Sequence, residues 1–166
     1  MIDHQKHLLK QKFFVYAECY KKVKKMLGAR KIPRDNGEMI DLIYQENCKK
    51  LDEESQKLYQ TNLAYRQYVN LFYRVSMLED FCLDFNNTFS INEIFFKKRL
   101  IKKTKSLLRE IQNDINYLYD CISDIIKHKE SVDMRDIITL DYQHKERLYD
   151  QYLDQFEKQF KKQFKI

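Results

Sequence analysis

Residues 91–129 read INEIFFKKRLIKKTKSLLREIQNDINYLYDCISDIIKHK, a stretch with neither glycine nor proline. Within it Ile101, Leu108, Ile115 and Ile122 recur every seven positions and interleave with Thr104, Ile111, Leu118 and Ile125. Two columns spaced three and four apart place one apolar seam along a helix, and their repetition predicts a long helical partner face. The seam proper consists of Ile101, Leu108, Ile111, Ile115, Leu118, Ile122 and Ile125. Ser90 followed by Glu93 has the form of a capping box, in which hydroxyl and carboxylate satisfy orphan backbone donors, so this helix is expected to start at about residue 91.

On the N-terminal side, residues 38–85 also lack Gly and Pro, and Leu51, Leu58, Tyr65 and Phe72 form a column flanked by Tyr68, Val75 and Cys82. Unbroken, that helix would extend on the order of 70 Å. The charged run KKLDEESQK at 49–57 weakens its apolar face and leaves a short interruption open, and FNNTF at 85–89 reads as the polar break before the third helix. An earlier helix is expected from residue 3 or 4 to 27, with Leu9, Tyr16 and Val23 beside Phe13, Tyr20 and Leu27. Gly28 offers its stop, the only proline lies in GARKIPRDNG at 28–37, and Asp35 with Glu38 offers a second capping box. A last helix should begin at about Asp136 or Thr139 and use Tyr142, Tyr149, Leu153, Phe156 and Phe160, with Leu148, Tyr152 and Phe164 widening that face and Phe156, Phe160 and Phe164 at four-residue steps. The pattern predicts an all-α antiparallel bundle of about four helices with long, coiled-coil-like second and third helices. A single domain over 1–166 is expected, with residues 38–129 forming a projecting hairpin.

Composition agrees with helix. Two glycines and one proline in 166 residues leave little material for hairpins or phosphate loops, while twelve tyrosines and eleven phenylalanines predict an aromatic core with hydroxyls at its wet edges. Cys19, Cys48, Cys82 and Cys121 form no C-x-x-C pair, so reduced thiols in a cytoplasm are expected. The opening MIDHQKHLLKQKFF has no uninterrupted apolar region of the secretory type, and no segment approaches eighteen uncharged apolar residues. A membrane partner is therefore not expected.

The net charge of +6 is uneven: residues 1–34 hold ten Lys/Arg and two Asp/Glu, residues 35–90 five and ten. One basic region comprises Lys21, Lys22, Lys24 and Lys25 with Arg30, Lys31 and Arg34; another comprises Lys97, Lys98, Arg99, Lys102, Lys103 and Lys105. Both are candidate contacts for an anionic partner, against the plainer reading of a solvated face. Lys158, Lys161, Lys162 and Lys165 at the end of the last helix suit its dipole, with weak anionic-surface binding as the alternative, and the neighbouring Phe rings are expected to dock into the bundle rather than lie on a membrane.

Sites for chemistry are scarce. There is no Glu-x-x-His pair of the di-iron bundles, and Asp141/His144, His4/His7 and His128 do not replace one. Arg135 precedes His144 by nine positions, too far for the short Arg–His spacing of helical RNA-cleaving folds. Acidic pairs such as Asp52/Glu53/Glu54 and Asp120/Asp124 read as solvated charge, and no GxGxxG or GxxxxGK[ST] loop exists. The reading is a non-catalytic, cytoplasmic helical module without cofactor or metal that binds another protein or itself. The alternative is a basic nucleic-acid-binding protein using the 21–34 and 97–105 regions.

Overall fold

The computed structural model describes residues 2–30, 37–131 and 142–165. Among them the chain is an all-α helical bundle of six α-helices: α1 (Ile2–Arg30), α2 (Gly37–Lys49), α3 (Glu53–Thr61), α4 (Leu63–Ile91), α5 (Lys98–His128) and α6 (Tyr142–Phe164). A 3-10 turn, Glu93–Phe95, precedes α5. The proposed four-helix arrangement with a coiled-coil middle pair is therefore corrected.

The second helix expected over 38–85 is three helices. After α2, Asp52 accepts a hydrogen bond from the Ser55 backbone N–H at 2.8 Å and caps α3, whose first turn carries Glu53 and Glu54. KKLDEES is thus helix punctuation: Lys49 closes α2 and the acids open α3, each matching the local helix dipole. A second break falls at Asn62. Its backbone is extended, its N–H returns to the Leu58 carbonyl at 2.8 Å, and its side chain accepts from the Tyr65 N–H at 2.9 Å. One asparagine ends α3 and starts α4 without Gly or Pro.

FNNTF, in contrast, is not a break. Phe85 and Phe89, one turn apart, are buried on α4 while Asn86 and Asn87 are exposed. Ser90 lies inside that helix, bonding Asn86, and caps nothing; α5 starts at Lys98 rather than at 91. Gly28 does not stop α1, which continues to Arg30. The turn residues 31–36, with Lys31, Arg34 and the Asp35 cap, and the 136–139 start of the last helix lie outside the described residues.

The burial pattern of α5 accounts for the missing coiled coil. Leu100, Thr104, Leu107, Ile111, Ile115, Ile122 and Ile125 are buried, whereas Ile101, Leu108 and Leu118 are half-buried. The buried column passes from Leu100 and Leu107 to Ile115 and Ile122 with an eight-residue step, and Leu100, Ile111 and Ile122 recur at eleven. At about 100° per residue a seven-residue step falls about 20° short of whole turns and an eleven-residue step runs about 20° beyond them, so a straight helix keeps one face by mixing the two, and a strict seven does not.

Two compact units divide the chain: Met1–Gly28, Asp80–Ile111 and Asp141–Ile166 form unit 1, and Ala29–Glu79 with Gln112–Leu140 form unit 2. In unit 1, Phe156 lies 5.7 Å from Tyr20 and Phe160 lies 5.3 Å from Phe13, so α6 runs antiparallel to α1. Phe96 at the start of α5 stacks on Phe89 at 4.6 Å and meets Tyr16 at 4.7 Å. Apolar residues of unit 2 are buried along Val69, Leu71, Val75 and Leu78 of α4 and along Ile115, Ile122 and Ile125 of α5. The heptad column chosen from the sequence is not that face: Leu58 and Phe72 are exposed.

Candidate functional site

A reactive centre in a helical core has to be made of buried polar groups. In unit 1, Thr104 Oγ1 donates to the Leu100 carbonyl at 2.8 Å and shares a 2.6 Å hydrogen bond with the Tyr152 hydroxyl. Burial pushes the Tyr152 phenol well above its ordinary range. Cys19 is fully buried, and desolvation raises its thiol to about 12 despite Lys22 nearby. A thiol held protonated is a poor nucleophile. Cys121 is likewise buried with its pKa raised, first by desolvation. All four cysteines are free thiols.

The Cys19 shift gives stability a definite pH dependence. Its folded pKa lies above the ordinary thiol value of 9.0, so the folded state holds the proton more tightly. The resulting contribution is complete below about 9 and is lost as pH rises toward about 12, and Tyr152 acts in the same direction. Urea midpoints should be flat through neutral pH and fall above pH ~9, and the Cys19→Ala, Tyr152→Phe double variant should lose part of that alkaline slope, the raised Cys121, Tyr16 and Tyr59 contributing in the same direction. An unchanged slope in the variant would remove these two groups as its cause.

Unit 2 holds a second polar cluster. Tyr59 donates to Asn70 Oδ1 at 2.7 Å, Asn47 Nδ2 donates to the same oxygen at 3.0 Å, and Arg66 donates to the Tyr59 carbonyl at 2.9 Å and the Gln60 carbonyl at 2.7 Å. These bonds tie α2, α3 and α4 together across the two helix breaks. They satisfy donors and acceptors and leave no acid–base pair beside a nucleophile, so their role is to orient short helices. No sequence periodicity singled out this cluster, since its members come from three separate helices.

Candidate anion contacts fall into two groups. Lys22 is taken up by Asp84 at 2.9 Å and Thr88 at 2.8 Å, with Glu18 at 3.7 Å. Lys103 bonds Gln155, and Lys105 pairs with Glu93 at 3.1 Å. Lys24 lies 5.6 Å from the Tyr20 ring centre. Lys21, Lys25, Lys97, Lys98, Arg99 and Lys102 are exposed and make no ion pair among the described residues. No hydrogen bond, ion pair or ring contact joins 21–25 to 97–105 among the described residues. The structure brings the start of α5 and the end of α6 to the middle of α1: Tyr16, whose ring meets Phe96, lies 6.1 Å from Phe160 and 5.5 Å from Phe164. The Phe rings of α6 are docked, Phe156 fully and Phe160 and Phe164 in part.

Among the described residues no group of three His, Cys, Asp or Glu could hold a metal ion. His7 bonds Gln11 within its own helix, and Asp52 is an N-cap whose carboxyl is held below its usual range by the Ser55 N–H. A depression beside Glu146, Arg147, Asp150, Gln151 and Asp154 is lined by one helix and holds no nucleophile. Fold and site together define a purely helical module without a metal- or disulfide-binding motif among the described residues. No protein-family model, curated protein or solved structure matches the chain.

Proposed function

We propose that the protein is a non-catalytic, cytoplasmic helical interaction module that self-associates through α4 in unit 2. The observation that carries this reading is an aromatic ladder at the edge of the core, half-buried at Tyr65 and Tyr68. Tyr65, Tyr68 and Phe72 follow one another at three- and four-residue steps with ring centres 6.0 and 6.2 Å apart, and Phe72 is exposed. Rings of this kind supply large contact area at low entropic cost, which is why they dominate interface energetics. Charge supports the choice of unit: unit 2 holds eleven Lys/Arg against fourteen Asp/Glu, whereas unit 1 holds twenty against eleven. A second copy meets far less repulsion at the former. Free thiols support the cytoplasmic assignment.

Light scattering over a concentration series tests it. The wild-type mass should rise to that of a dimer, and Tyr68→Glu with Phe72→Glu should raise the dissociation constant about 100-fold with helicity unchanged. A mass of one chain throughout, or a variant that dimerises equally well, would defeat the ladder assignment. The nucleic-acid alternative has weaker support, because Lys22, Lys103 and Lys105 are already engaged.

A further inference from the structure

One end of unit 1 collects cations from three distant stretches of sequence. Lys12 precedes Phe13, Lys97 and Lys98 follow Phe96, and Lys162 and Lys165 flank Phe164; those three rings lie together, Phe96 and Phe164 against Tyr16 and Phe13 at 5.2 Å from Phe164. None of the five lysines makes an ion pair among the described residues. Two of the nearby acids are neutralised, Glu93 by Lys105 at 3.1 Å and Glu157 by Lys161 at 2.8 Å, which leaves Asp3 near the start of α1 as the acid the lysines outnumber.

Apolar side chains stand among these cations. Every residue from 2 to 11 of α1 is exposed, Leu8 by 49% and Leu9 by 50%, and Phe14 is 61% exposed. Where the chain turns from α4 into α5, Ile91 is 79% and Ile94 88% exposed. Isolated exposed apolar residues are ordinary, but several within one basic surface are not.

We propose that this end of unit 1 docks on an anionic phospholipid surface, its lysines against headgroups and Leu8, Leu9, Phe14, Ile91 and Ile94 in the headgroup–acyl boundary. Charge complementarity selects the occupant. A second copy would bring two strongly cationic surfaces together. Nucleic acid would satisfy the lysines but not the aliphatic residues, and Phe13, Tyr16, Phe160 and Phe164 are packed on one another rather than free to stack on bases. A lipid surface uses both features. No described helix is long and apolar enough to cross a membrane, so the contact is peripheral.

The full chain should sediment with phosphatidylcholine vesicles containing phosphatidylserine at near-physiological salt and not with phosphatidylcholine alone. Lys97→Glu, Lys98→Glu, Lys162→Glu should lower the partition coefficient by about 100-fold, at roughly tenfold or less per lysine. Leu8→Ser, Leu9→Ser, Phe14→Ser should also lower it, with helicity kept because all three side chains are exposed. Tyr68→Glu with Phe72→Glu should leave it unchanged, which separates this surface from the self-association face. Absence of serine-lipid-dependent sedimentation would overturn the proposal. So would wild-type vesicle binding by the Leu8/Leu9/Phe14 variant combined with tight binding of duplex nucleic acid, which would make the end a general polyanion site.

Discussion

Phe156→Ala should destabilise the protein by about 3–5 kcal/mol, the cost of emptying a large aromatic site in a core that relaxes only partly. Phe156 is fully buried, and its ring lies 5.7 Å from Tyr20, 5.9 Å from Tyr16, 6.1 Å from Phe96 and 6.3 Å from Tyr152. It therefore joins α1, α6 and the entry to α5, and its loss would act on all three. Against a typical domain stability of about 5–15 kcal/mol this is a large fraction. Urea denaturation should show the midpoint falling with little change in slope. Phe164→Ala should cost less, since that ring is half-buried. Equal costs for the two rings would mean that the cluster has no interior.

Ile115→Asp should be at least as damaging, by about 4 kcal/mol or more, because a carboxylate would replace a side chain that is only 1% exposed. Helicity by circular dichroism and the thermal midpoint should both fall. Leu118→Asp, three residues on, should be milder because Leu118 is half-buried and its carboxylate could reach water. Asn113→Asp, at an exposed position of the same helix, should change little. The heptad reading treated Ile115 and Leu118 as equivalent. If both substitutions proved equally destructive, the buried face of α5 would follow the seven-residue column after all.

That contrast shows what pattern reading can and cannot resolve. Helix was legible throughout because apolar spacing of three and four survives any local choice of partner. Helix number was not. The breaks at 50–52 and at Asn62 rest on side-chain capping by Asp and Asn, residues that occur freely on helix surfaces and reveal nothing until their hydrogen bonds form. FNNTF misled in the opposite sense, since its polar pair faces solvent while Phe85 and Phe89 are buried. For the candidate contacts, the basic composition of 97–105 was visible, but Glu93 and Gln155 taking two of its lysines was not.

By itself the sequence determined that this chain is helical, rich in aromatic packing and poor in the residue pairs that catalysis or metal binding needs, because those properties follow from local spacing and residue type. Only the tertiary structure decided which apolar column is core and which is left as a surface ladder, and which lysines remain unpaired at the Tyr16 end of unit 1. Those outcomes depend on groups tens of residues apart coming within a few ångströms, and no one-dimensional period encodes that distance.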